Sequence, residues 1–226
     1  MIPVCILAGG LGTRLGVRDT PKPLVEVAGK PFLLHQLDLL RGAPRVVLCV
    51  GYLGERIEAA LGHERYGIEL RYRYDDQAGT AGAVRGALED LGERFLVLYG
   101  DTYLRIDYAA VAAASEGWPA LMTVLRNEGR WDASNAEFRD GRVVRYEKGA
   151  PGMSWIDYGL SVLTPQALGD ESDLAQVFTR LAAAGELAGY EATERFYAIG
   201  TPAALAETDA FLSGRAGSAR SGSSPP

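Results

Sequence analysis

Lysine is nearly absent. Of the 23 basic residues in this 226-residue chain, only Lys22, Lys30 and Lys148 are lysines; the rest are arginines. Where arginine is the default cation, each lysine marks a place for a compact ammonium instead of a planar fork. Cysteine and histidine are also scarce, with two of each. Cys5 and Cys49 lie in apolar, strand-like runs and read as reduced core residues. His35 and His63 carry no metal-ligand spacing, and no Ser/His/Asp set is present. No apolar run approaches the length of a membrane span, and no basic segment precedes a signal-like apolar core. A cytoplasmic protein with no membrane partner is expected. The formal charge is −6, which argues against broad attraction to nucleic acid. A small anionic ligand would need a local cationic pocket.

What the chain does have is enough apolar residues, 47%, for a substantial core. Short apolar runs at 2–8, 45–50, 69–74 and 95–99 read as strands, and helical spacing lies between them at 31–40, 53–61 and 80–91. Further strands are expected at 121–126, 135–138, 142–146 and 159–163, and helices at 107–115, 173–184 and 202–212. This pattern predicts an α/β fold: an open, mostly parallel Rossmann-like sheet with helices on both faces. The later strands are expected to build a small β lid. One domain covers 1–213. The tail 214–226, GRAGSARSGSSPP, has nothing to pack and is expected to be disordered.

Ligands of such sheets bind beyond the carboxyl ends of the strands. Residues 9–14, 51–52, 75–82 and 100–103 fall there and should converge on one crevice. The stretch AGGLGTRLGVRDTPKPL opens that region. It lacks the third glycine of a dinucleotide fingerprint and the Gly-Lys-Ser/Thr of a Walker A loop. Glycines after a first strand still let backbone N–H groups approach an anion. Arg14 adds a permanent cation, and Pro21 and Pro23 restrict the backbone around Lys22. A pinned ammonium beside a glycine loop suits stabilisation of charge at a transferring phosphoryl group.

The run LAGGLGTRLGVRDTPKPLVEVAGKPFL resembles the signature of sugar-1-phosphate nucleotidyltransferases. The resemblance continues through VGYLGERIEAALG, DDQAGTAGAVRGAL, LVLYGDTYL, YEKGAPGMSWIDYGLSVL and FYAIGTPAAL, and covers about 2–212. In wording it is closest to heptose-1-phosphate guanylyltransferases, and short N-acetylmuramic acid 1-phosphate uridylyltransferases are similar. The resemblance implies nucleotide contacts at Leu7, Ala8, Gly9, Gly10, Gly12, Thr13, Asp76, Gly79, Thr80, Ala81 and Gly82. It implies catalytic roles for Arg14, Lys22 and Lys148, and Mg²⁺ held by Asp101. Tyr52, Thr102, Glu147, Asp157 and Tyr158 would face the sugar, with the β lid on that side. The substrates implied are an NTP, with GTP favoured by the carboxylate of Asp76, and a sugar 1-phosphate. A uridylyltransferase acting on an amino-sugar 1-phosphate and a non-catalytic nucleotide-sugar-binding protein are the alternatives. Self-association into a homo-oligomer is left open. The chain departs from the family in reading Ala198-Ile199-Gly200-Thr201 where relatives carry a metal-binding aspartate first. Either Asp101 and the phosphates suffice, or Glu194 or Asp157 substitutes, or activity is reduced.

Overall fold

The computed structural model describes residues 1–10, 12, 15–16, 19–74 and 79–220, with side chains described through 214. Its first half runs β1 (Val4–Leu7), the hairpin β2 (Glu26–Val27) and β3 (Lys30–Pro31), α1 (Phe32–Leu39), β4 (Arg45–Val50), α2 (Gly54–Leu61), β5 (Glu64–Arg65), β6 (Ile68–Tyr74), α3 (Gly79–Gly86), α4 (Leu88–Leu91) and β7 (Phe95–Tyr99). The second half runs β8 (Thr102–Tyr103), α5 (Tyr108–Ala114), β9 (Ala120–Arg126), β10 (Ala136–Arg139), β11 (Arg142–Tyr146), β12 (Trp155–Leu163), α6 (Leu174–Ala184), β13 (Leu187–Ala192), β14 (Tyr197–Ala198) and α7 (Pro202–Arg220).

The central strands are apolar on both faces because both faces are covered. Val4, Ile6, Val46 and Leu48 pack against Leu33, Leu37, Ile57 and Val111 of α1, α2 and α5. The alternate residues Cys5, Val47, Cys49 and Val97 meet Val84, Val177, Phe178 and Leu181 of α3 and α6 on the other side. The two thiols lie in this layer as buried, free cysteines with their sulfurs 3.5 Å apart. α5 and α6 begin where the sequence places acidic caps: Asp107 accepts from Ala109 N and Ala110 N, and Asp173 from Ala175 N.

β6, β4, β1 and β7 pair in parallel, in the order expected of a Rossmann-like half. The sheet as a whole is mixed, not mostly parallel. β12 runs antiparallel to both β7 and β9, and β11 runs antiparallel to β13 and β10. Nor do the later strands form a separate lid. They extend the same ten-stranded sheet, which curls until β10 pairs with β12. That closes β12, β9, β13, β11 and β10 into a five-stranded barrel. Sequence periodicity cannot show this, since it reports which face a residue takes and not which strand it pairs with. β13 was not expected at all; its glycine and two alanines dilute the strand signal. α7 also runs past 212, where the sequence pattern ends this helix, and continues to Arg220. Among the described residues, no helix is long and apolar enough to cross a membrane.

Candidate active site

β1, β4 and β7 end level with one another, with Leu7 opposite both Cys49 and Tyr99. The backbones close up just beyond. A Cβ on Gly51 would sit 2.8 Å from the Gly9 carbonyl oxygen, and one on Gly100 2.6 Å from that of Leu7. These two glycines are therefore required by strand packing, whatever binds above them. Over this floor opens a cavity of about 440 Å³. Its walls include Leu7, Ala8, Gly9, Gly10, Lys22, Gly79, Thr80 and Asp101 from the expected set, together with Pro23, Cys49, Ala83, Tyr99 and Gly100.

Lys22 opens a single 3-10 turn, Lys22–Leu24, between its two prolines. Its ammonium lies 2.5 Å from Asp101 Oδ2, and the two side chains are only 14% and 29% exposed. Asp101 is fixed through its own backbone, whose carbonyl accepts from Ile199 N at 3.0 Å. Ala198 pairs with Thr102 in the β14–β8 ribbon, so the alanine lies beside Asp101 and brings no carboxylate.

A second cavity, of about 790 Å³, shares Tyr99 and Asp101 with the first. Thr102, Lys148, Asp157 and Tyr158 line it as expected. Trp131, Asn135, Arg195, Phe196 and Glu207 line it too, and the sequence reading missed all five. Arg195 is pinned by Glu207 at 2.7 and 3.1 Å and lies 4.5 Å from the Tyr197 ring centroid. Asn135 Oδ1 accepts from Asp157 N at 2.8 Å, which turns its amide NH₂ away as a donor. Asp157 Oδ1 accepts from Gly159 N at 2.9 Å, leaving its other oxygen as an acceptor. The cavity thus presents a donor and an acceptor side by side, which suits a hydroxylated ligand.

Burial pushes the Asp157 carboxyl up to about 6, against the opposing pull of the Gly159 N–H and the Lys148 ammonium. The folded protein therefore holds this proton more tightly than the unfolded chain. The resulting stabilisation is full below about pH 4 and is lost as pH rises through 6. An Asp157→Asn variant should be more stable than the wild type at pH 8, by about 1–2 kcal/mol. The difference should shrink as the pH falls to 5, which thermal unfolding at both pH values would read. Equal stability at both would refute the burial cost.

Other expected residues stand elsewhere. Ala81 and Gly82 donate their N–H groups to the Ser172 carbonyl, at 2.9 and 3.3 Å, and line neither cavity. Helical period puts Ala83, three residues after Thr80, on the wall instead. Glu147 is tied to Arg145 at 2.8 Å outside both cavities. Tyr52 is 56% exposed beyond the end of β4 and faces neither. Gly12 forms a turn, its carbonyl accepting from Leu15 N at 3.0 Å, off both walls. Glu194 pairs with Arg105 at 2.5 Å, also away from both cavities. Thr13, Arg14 and Asp76 lie outside the described residues.

Among the described residues, no group of three or more His, Cys, Asp or Glu could hold a metal ion. The donor set nevertheless fits Mg²⁺ in one way. This ion is commonly held by one or two carboxylates, with substrate phosphates and waters completing its shell. Asp101 is the one carboxylate on the wall of the first cavity among the described residues.

Residues 4–210 match the MobA-like NTP transferase domain. The D-glycero-alpha-D-manno-heptose 1-phosphate guanylyltransferase of Campylobacter jejuni is 30% identical over 73% of this chain and 77% of its own length. The N-acetylmuramate alpha-1-phosphate uridylyltransferase of Neisseria meningitidis is 30% identical over 91% of this chain and 96% of its own. The crystal structure of HddC from Yersinia pseudotuberculosis complexed with GMP-PN aligns with a TM-score of 0.81 and 27% identity, covering 94% of this chain and 100% of that one. With the match running from β1 into α7, the chain belongs to the MobA-like NTP transferase family and is a nucleotidyltransferase.

Proposed function

We propose that this enzyme joins an NTP, GTP by preference, to a sugar 1-phosphate, with a heptose 1-phosphate as the sugar substrate, giving a nucleotide-diphospho-sugar and pyrophosphate. The observation that carries this reading is the junction. Two cavities meet at Tyr99 and Asp101, with the Lys22 ammonium at the seam. The smaller cavity lies over the strand ends, where this fold class binds nucleotides. The larger one carries the donor–acceptor pair Asn135 and Asp157 and the cation Lys148, a lining suited to a hydroxylated, phosphorylated substrate.

A phosphate oxygen of the sugar 1-phosphate attacks the α-phosphorus in line, and pyrophosphate leaves. With a second pKa of about 6, the attacking phosphomonoester is already ionised at neutral pH, so no side chain needs to remove a proton. The chain's task is alignment and charge compensation. Lys148 holds the sugar phosphate. Lys22 moves from Asp101 to the oxygens on which charge builds. Asn135 and Asp157 fix the sugar ring by its hydroxyls. Asp101, with the phosphates, would hold Mg²⁺, which supplies further charge compensation when bound.

The preference for GTP is supported by the Campylobacter guanylyltransferase and by the guanine nucleotide bound in the Yersinia protein. The uridylyl alternative is supported by the Neisseria relative, which matches over more of both chains. Thermal shifts with GTP, UTP, ATP and CTP, each with Mg²⁺, separate the two, because a ligand raises apparent stability according to its affinity. GTP is expected to give the largest rise. A larger rise with UTP would move the reading to uridylyl transfer, and no rise with any of the four would overturn the nucleotide cavity.

A further inference from the structure

Asp101 already carries a cation, the Lys22 ammonium. We propose that Lys22 occupies the metal's place on this carboxylate until the nucleotide arrives. The divalent ion then enters only with the triphosphate, in exchange for the ammonium. This rests on the nucleotide reading given above.

The Lys22–Asp101 contact of 2.5 Å joins two side chains that are largely removed from water. Such a pair is screened far less than an exposed one. Lys22 is set by the prolines on either side, and Asp101 by the backbone bond from Ile199. Gly200 packs along the pair: a Cβ there would lie 3.8 Å from both Asp101 Oδ2 and Lys22 Nζ. Ala198, beside Asp101, adds no ligand. Among the described residues, a hydrated ion would thus meet one carboxylate whose charge is already balanced. Mg²⁺ gives up its waters reluctantly and gains little from a single shared oxygen. A triphosphate changes both terms. Its oxygens draw off the ammonium, and they supply ligands that the described residues do not. Each charge keeps a partner throughout the exchange, so no bare carboxylate is left facing the phosphates.

Two measurements on the full-length chain test this. The first is Mn²⁺ binding to nucleotide-free wild type, read from the resonance of free Mn²⁺. The expected result is no site of submillimolar affinity; finding one overturns the proposal. The second is calorimetric GTP binding, with EDTA and with Mg²⁺, to the wild type and to Asp101→Asn. Without metal, the variant should bind GTP about tenfold more tightly than the wild type, because Lys22 is freed and a negative charge is gone. Mg²⁺ should then tighten binding to the wild type about tenfold and to the variant less than twofold. Equal metal-free affinities overturn the exchange while leaving the nucleotide reading intact. Failure of the wild type to bind any NTP in either buffer overturns both. If Asp101→Asn does not fold, the Mn²⁺ measurement decides.

Discussion

Lys22→Ala should lower kcat by roughly a hundredfold or more, the range seen when one preorganised charge contact is removed. Among the described residues, Lys22 is the only basic side chain on the wall of the first cavity. Its ammonium is set by the two flanking prolines and lies 2.5 Å from the carboxylate at the seam. A contact that strengthens as charge builds on the transferring phosphoryl group acts on the rate more than on binding. Steady-state kinetics should therefore show kcat falling much further than the KM for either substrate rises. Lys22→Arg should not restore the rate, because a planar fork cannot take the position of a compact ammonium in a short turn. Near-normal turnover in Lys22→Ala would remove this lysine from the mechanism.

The second large effect is expected at Asp101. Asp101→Ala should reduce turnover by about a hundredfold to a thousandfold, and added Mg²⁺ should not recover it. The reason lies at position 198. With alanine there and Glu194 tied to Arg105, no other carboxylate among the described residues lines the first cavity. Asp157 lines the second, with one oxygen engaged by Gly159 N. Recovery of the rate at high Mg²⁺ would show that phosphates alone suffice, and that Asp101 is needed for its hold on Lys22 instead. The thermal midpoint of the variant separates loss of chemistry from loss of fold, since Asp101 also anchors the Ile199 backbone only through its main-chain carbonyl.

Much of the first half of the fold was legible because its signals are local. Arg45–Val50 and Phe95–Tyr99 are short apolar runs ending in glycine, and the structure places strands over the same residues. Lys22 stood out locally by its scarcity and its flanking prolines, and Asp101 by its place at a strand end; that the two side chains meet was not legible. What was not legible depends on closure or on helical phase. The barrel brings Trp131 and Asn135, both on the β9–β10 connection, to one wall with Arg195, which follows β13. Nothing local marks Asn135 until Asp157 N–H is seen to fix its amide. Ala81 and Gly82 matched a motif, yet the turn of α3 and the Ser172 carbonyl take them off the cavity. Glu147 likewise matched a motif but points to Arg145.

The account depends on two anionic substrates meeting where the cavities join. Its most direct test is pyrophosphate release from GTP, followed with and without a heptose 1-phosphate and Mg²⁺. The account predicts pyrophosphate in step with a GDP-linked sugar, and only when all three are present. Pyrophosphate released without the sugar phosphate, or none from any pairing of the four NTPs with sugar 1-phosphates, would contradict it.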